Sequence, residues 1–189
     1  MTTDGGGWTL FQKRMDGSVD FYRGWQSYKN GFGNVNGEHW LGNEQINTIT
    51  NQKRYELRVD MEDANGVWRY AHYDNFAIAS EKAKYKLTVG AYSGNAGDSL
   101  SLHRGYPFTT KDRNNDALTS QNCAQQYKGA WWYERCHDSN LNGLYHLGHH
   151  SSYGDGVNWK TFKGYHHSLK TTEMKVRPVG FTSSSVSSG

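Results

Sequence analysis

Two stretches of strict alternation limit what this chain can fold into. In YELRVDM, Tyr55, Leu57, Val59 and Met61 fall on one side, while Glu56, Arg58 and Asp60 fall on the other. In YKLTVGA, Tyr85, Leu87, Val89 and Ala91 repeat the pattern. A period of two sends successive side chains to opposite faces of an extended chain. Each stretch therefore predicts a half-buried strand of an antiparallel sheet. WTLFQKR (8–14) and TEMKVRPV (172–179) are weaker strand candidates, and Pro178 hints at a strand end because it has no N–H for a ladder.

Helical signals are short. Trp25, Tyr28 and Phe32 recur at helical spacing, with Gly31 and Gly33 ending the run, and Ile46 and Ile49 mark one turn in NEQINTIT. From about residue 93 the alternation gives way to Gly, Asn, Asp, His and aromatics, the composition of long ordered loops. Such loops on a rigid sheet are where binding usually resides. Residues 1–92 are thus expected to be sheet scaffold and residues 93–180 the working face. The end FTSSSVSSG (181–189) is expected to be a flexible tail.

A mean hydropathy of −0.90 looks too polar for a cored domain. Seven Trp, thirteen Tyr and seven Phe reverse that impression, because aromatics bury large areas and disordered chains lack them. Twenty-two glycines against two prolines fit a fold rich in tight turns. The formal charge of +3 is small and its basic residues are scattered, the pattern of a solvated face and not of a nucleic-acid footprint. No apolar run approaches the roughly 18 residues of a membrane span.

The only two cysteines, Cys123 and Cys136, sit in NCAQQYKGAWWYERCHDSN. Three readings compete. A disulfide would close a short loop. A catalytic thiol would need His137 as its base, although sequence neighbours seldom have that geometry. A zinc site would lack the usual paired knuckles. Just upstream, TTKDRNNDALTSQNC holds Asp112, Asn114 and Asp116 at alternate positions, a set of hard oxygen donors suited to calcium. No coherent catalytic constellation emerges, and DGGGW lacks the Lys-Ser/Thr of a phosphate loop. An enzyme is not expected.

DGGGWTLFQKR, FYRGWQSYKNGFG, GEHWLGNEQI, YELRVDMED, YSGNAGDSL, NCAQQYKGAWWYERCHDSNLNG and GVNWKTFKGYHHSLKTTEMKVRP resemble the fibrinogen C-terminal-like domain, nearly end to end from Asp4 to Pro178. Within that family the blocks look most like the lectin branch of ficolins, tachylectin-type lectins and invertebrate fibrinogen-related proteins. The resemblance implies an α+β fold: a central antiparallel sheet, short helices and a long loop-rich region that binds ligand and calcium. The family normally begins with a further disulfide-bearing segment, so the chain is expected to be a piece of a longer, secreted, oligomeric protein.

The resemblance also implies a site. Cys123 and Cys136 are expected to be bridged, and the Arg135–Cys136 peptide bond to be cis, presenting two successive N–H groups to a carbonyl oxygen. An acetyl socket falls on Tyr127, Tyr153, Gly154 and Tyr165 beside His137, with the Tyr165 or Tyr127 hydroxyl available to the ligand amide. Gly154 stands where the family commonly has Ala. Ca2+ ligands map to Asn114, Asp116 and the carbonyls of Leu118 and Ser120, with Asp112 as a possible substitute. Asn114 replaces an Asp, and the stretch to Cys123 is one residue longer than the ficolin pattern. The expected function is a calcium-dependent module binding acetylated carbohydrates on microbial surfaces in innate immunity. A protein-interaction module of matrix or signalling type is the alternative.

Overall fold

The computed structural model describes residues 3–182. The expected tail therefore lies, from residue 183 on, outside the described residues. Thirteen strands run in chain order: β1 (Thr9–Arg14), β2 (Phe32–Gly33), β3 (His39–Trp40), β4 (Tyr55–Glu62), β5 (Trp68–Tyr73), β6 (Phe76–Ile78), β7 (Leu87–Val89), β8 (Tyr92–Gly94), β9 (Ser139–Asn140), β10 (Gly148–His149), β11 (Asn158–Trp159), β12 (His167–Ser168) and β13 (Thr171–Pro178). The α-helices are α1 (Trp25–Asn30), α2 (Asn43–Thr50), α3 (Cys123–Tyr127) and α4 (Lys160–Lys163). Among the described residues no helix is long and apolar enough to cross a membrane.

Seven strands form the central sheet in the order β2-β3-β1-β13-β4-β5-β8, every pair antiparallel. β4 keeps the alternation read from sequence, with Tyr55, Leu57, Val59 and Met61 buried. YKLTVGA does so only in part. Lys84 and Tyr85 take positive φ angles of 58° and 53°, so the extended stretch shortens to Leu87–Val89, which pairs with β6 outside the central sheet, and Ala91 is exposed. The weak candidate at 172–179 is instead a central strand, β13, so the scaffold is not confined to residues 1–92. Pro178 closes it opposite Tyr55.

The core is aromatic. Trp25, Trp40, Trp131, Trp132, Trp159, Tyr28, Tyr73, Tyr85, Tyr133, Phe11 and Phe76 are all fully buried. Phe108 meets Trp132 edge-on at 5.3 Å and Phe11 stacks on Phe76 at 5.5 Å, geometries that favour ring quadrupoles. The indole N–H groups are satisfied: Trp132 donates to the Tyr85 carbonyl at 2.9 Å and Trp159 to that of Gly97 at 2.9 Å. A polar composition thus still builds an aromatic core, on which residues 103–168 are laid as ordered loops.

Candidate functional site

The cysteine stretch folds back on the core. Asn122 caps α3, its side-chain oxygen accepting from the Ala124 and Gln125 N–H groups at 2.8 and 3.2 Å. Lys128 then takes a φ of 56° and ends the helix one residue after Tyr127. Ala130 to Tyr133 are buried, and the chain returns so that Cys123 and Cys136 form a disulfide, with Cα atoms 5.6 Å apart. The catalytic-thiol and zinc readings of these cysteines are thereby removed. The Arg135–Cys136 peptide bond is cis. Neither the Cys136 nor the His137 N–H donates to a protein acceptor.

The predicted socket residues converge. Tyr127 stands edge-on to His137 at 4.9 Å and 6.4 Å from Tyr153. Tyr165 lies 4.8 Å from Tyr153 and 5.6 Å from His137. Tyr153 is 56% exposed, so it forms the outer wall, whereas His137 is buried. Gly154 has a φ of 69° and packs so closely that an added Cβ would sit 3.1 Å from Tyr127 Cε1 and 3.3 Å from His137 Nε2. An alanine here would be strained and would crowd the socket floor.

Hydrogen bonds fix these walls. His137 Nε2 bonds the Gly154 carbonyl at 2.8 Å, so the proton sits on Nε2 and Nδ1 remains a buried acceptor with no protein partner. Burial, above all, lowers the His137 pKa to about 4, so the ring is neutral near pH 7. The Tyr165 hydroxyl donates to the His137 carbonyl at 3.1 Å, and burial raises its pKa. Of the two hydroxyls expected to serve a ligand amide, Tyr165 is therefore committed to the protein. The Tyr127 hydroxyl only accepts from Gln126 at 3.3 Å and keeps its hydrogen. Arg135 is exposed, and its backbone N–H donates to the Glu134 carboxylate at 2.6 Å.

Two residues that sequence reasoning missed hold the arrangement. Asn140, fully buried, donates to the carbonyls of Tyr127, Gly154 and Gly156 at 3.0, 3.2 and 3.2 Å and accepts from the Tyr133 hydroxyl. His103 bonds the Trp132 carbonyl through Nδ1 at 2.8 Å and accepts the Asp138 N–H at 3.1 Å, bracing the chain just after His137. An Asn in SNLNG carries no sequence signal for this role.

The predicted calcium ligands lie in the loop ahead of Cys123, where hydrogen bonds hold two of them. Asp116 accepts the Leu118 and Cys123 N–H groups at 2.9 and 2.8 Å, one on each oxygen. Burial raises its pKa, and no basic side chain is among the groups acting on it. Asn114 accepts the Asp116 N–H at 3.2 Å and donates to the Gln121 carbonyl at 3.3 Å. The carbonyls of Leu118 and Ser120 accept no hydrogen bond from the protein. One carboxylate, one amide oxygen and two free carbonyls are the donor types a hard cation takes. Asp112 has partners of its own. Its Oδ1 accepts the Trp25 N–H at 2.9 Å and the Thr110 hydroxyl at 2.7 Å, so it caps α1 instead.

A separate polar cleft of about 460 Å3, lined by Asp63, Arg69, Asn95, Thr161 and Lys163 among others, contains none of the predicted residues.

Comparison with known proteins bears on the family and the fold. Residues 1–179 match the family described as fibrinogen beta and gamma chains, C-terminal globular domain. Ryncolin-4 of Cerberus rynchops is 54% identical over 179 residues, 94% of this chain and 52% of its own length. Fibrinogen C domain-containing protein 1 of Mus musculus is 55% identical over 184 residues, 95% of this chain and 40% of its own length. The chain thus spans about half or less of these relatives. Among solved structures, the fibrinogen-like globe domain of human ANGPTL2 superposes with a TM-score of 0.91 at 52% identity, covering 93% of this chain and 82% of that one. Lamprey fibrin D-dimer, complexed with the peptide Gly-His-Arg-Pro-amide, superposes with a TM-score of 0.90 at 38% identity, covering 94% of this chain and 63% of that one. With the sheet, the bridged cysteine loop and the matched length in accord, this chain belongs to the fibrinogen C-terminal globular-domain family.

Proposed function

We propose that this domain is a secreted, non-enzymatic lectin module that seats the acetyl group of N-acetylated sugars, such as N-acetylglucosamine on microbial surfaces, in innate recognition. The observation that carries this reading is the pair of unpartnered N–H groups at Cys136 and His137, beside a cluster of three tyrosines. Two N–H donors suit one carbonyl oxygen, and an aromatic socket suits a methyl group at low entropy cost. The Tyr127 hydroxyl is the free polar group nearby. A single shallow socket binds weakly, so affinity would come from several copies in an oligomer of the full-length protein.

Tyr153→Ala, Tyr165→Ala and His137→Ala are each expected to lower retention on immobilised N-acetylglucosamine at least tenfold. Tyr153 is the most informative of the three, since its exposed side chain can be removed with little harm to the fold. Wild-type retention by all three folded variants sinks the assignment.

Ca2+ is proposed to bind Asn114, Asp116 and the Leu118 and Ser120 carbonyls, steadying the loop that enters Cys123 without touching the sugar. With one carboxylate in the set, the affinity is weaker than for a two-carboxylate site. Millimolar Ca2+ is expected to raise the thermal midpoint by a few degrees over chelator, and Asp116→Asn to remove the difference. Identical midpoints with and without Ca2+ would leave the loop as a solvated turn.

The protein-interaction reading draws on the lamprey fibrin neighbour, which carries a peptide. Binding on a glycan array that free acetate competes away favours the acetyl site; insensitivity to acetate favours the alternative.

A further inference from the structure

The loop that carries Tyr153 and Gly154 has a second polar cluster at its ends. His146 Nε2 lies 3.0 Å from Asp155 Oδ1, and His150 Nδ1 lies 3.6 Å from the same oxygen. The two imidazoles stack at 4.5 Å, and one donor atom from each of the three residues lies within 4.8 Å of the others. Ser152 adds a fourth donor, its hydroxyl oxygen, 3.1 Å from His150 Nδ1 and 2.6 Å from Asp155 Oδ1. The side chains of His146, His150 and Asp155 are 29%, 6% and 18% exposed, so the cluster is recessed yet reachable.

We propose that His146, His150 and Asp155 bind a divalent transition-metal ion, zinc foremost, with Ser152 or a water as the fourth ligand. Donors about 2.0–2.2 Å from a tetrahedral zinc stand roughly 3.3 Å apart, against 3.0 and 3.6 Å from the two imidazole nitrogens to Asp155 Oδ1 and at most 4.8 Å within the set. Two imidazoles with one carboxylate suit zinc, copper or nickel and do not suit calcium or magnesium, which take oxygen donors.

The other nearby histidines have other partners. His166 Nδ1 bonds the His150 and Ser152 carbonyls at 3.2 and 3.1 Å, fixing the backbone of the loop. His167 Nε2 accepts the Ala64 N–H at 3.2 Å. Without an ion, Asn158 Nδ2 approaches His150 Nε2 at 3.4 Å, which places the His150 proton on Nδ1. Loading moves that proton to Nε2 and gives up this long contact. Asn158 keeps its bonds to the Gly156 N–H and the His167 carbonyl at 3.0 and 3.1 Å.

The test is calorimetric titration of the folded domain with Zn2+ alone, with Co2+ absorption to report geometry. One equivalent is expected to bind, with the intense visible bands of four-coordinate Co2+. Asp155→Asn and His146→Gln are each expected to weaken Zn2+ at least tenfold, whereas the exposed His149→Gln has no effect. No Zn2+ binding up to millimolar concentration, or wild-type affinity in both ligand variants, overturns the site. Circular dichroism confirms that each variant is folded, and Asp155→Asn alone decides if His146→Gln is not. Because the readout is metal and not sugar, failure of the acetyl assignment leaves this result intact.

Discussion

Replacing Glu38 by alanine is expected to destabilise the domain by about 3–5 kcal/mol, the cost of removing one partner from a buried charge pair. Glu38 is 1% exposed. Its Oε2 accepts the N–H groups of Met15, Asp16 and Gly17 at 2.8, 3.1 and 3.0 Å, and its Oε1 that of Val19 at 3.0 Å. The carboxylate therefore organises the whole turn after β1. Arg14, itself buried, lies 3.9 Å away and stacks over Phe21 at 4.1 Å. Burial lowers the Arg14 pKa to about 10, against which Glu38 is the largest opposing influence. Arg14 also donates to the Leu141 and Gly143 carbonyls at 3.0 and 2.7 Å, linking β1 to the segment that follows Asn140. Alanine would strand four N–H donors and an unpaired guanidinium at once. Glu38→Gln keeps the shape and one acceptor and is expected to lose less. Denaturant midpoints at constant slope measure both; a loss under about 1 kcal/mol for Glu38→Ala would show that water satisfies the turn.

That turn illustrates what the sequence conceals. Alternation at 55–61 predicts β4 because apolar burial leaves a local pattern. β13 is harder to read, since its Lys175 is 1% exposed yet satisfied by Asp60 at 2.7 Å and Glu173 at 2.8 Å. A buried lysine with two carboxylate partners looks in sequence like a solvent-facing one. YKLTVGA misleads in the opposite sense, because two residues at positive φ cut short a stretch whose side chains alternate well.

The site follows the same division. The proposed socket residues are named only through the family resemblance, which supplies spatial proximity that residue types alone do not; for the two cysteines it singles out the bridge among the readings that the residues leave open. Asn140, His103 and Glu38 work by meeting backbone groups far along the chain. Asp112, read from its loop as a metal donor, is drawn to the N–H of Trp25, 87 positions away. Polar side chains with distant backbone partners leave no periodic trace, so only the folded structure reveals them.

Reducing the Cys123–Cys136 bridge, or replacing both cysteines by serine, is expected to harm the site more than the fold. The cysteines are 13 positions apart, and a loop of this size is worth about 3 kcal/mol in the chain-entropy description. For a domain of this length that corresponds to a fall in thermal midpoint of roughly 6–12 °C. The domain should stay folded at 25 °C, because Trp131, Trp132 and Tyr133 remain buried between the two ends and the Cys123 N–H still has Asp116. Both halves of the proposed socket, however, start at the bridge. Cys123 opens the five-residue helix that ends in Tyr127, and Cys136 precedes His137 and supplies one of the two free N–H groups. Release of the bridge lets these halves drift by fractions of an ångström that a packed core tolerates but a carbonyl clamp does not. Retention on immobilised N-acetylglucosamine is therefore expected to vanish at a temperature where circular dichroism still reports the native fold. Full retention after reduction, with free thiols verified by titration, would mean that aromatic packing and Asn140 alone set the socket. A midpoint unchanged by reduction would show that the unfolded chain is already compact around this loop, so that cross-linking it removes little entropy.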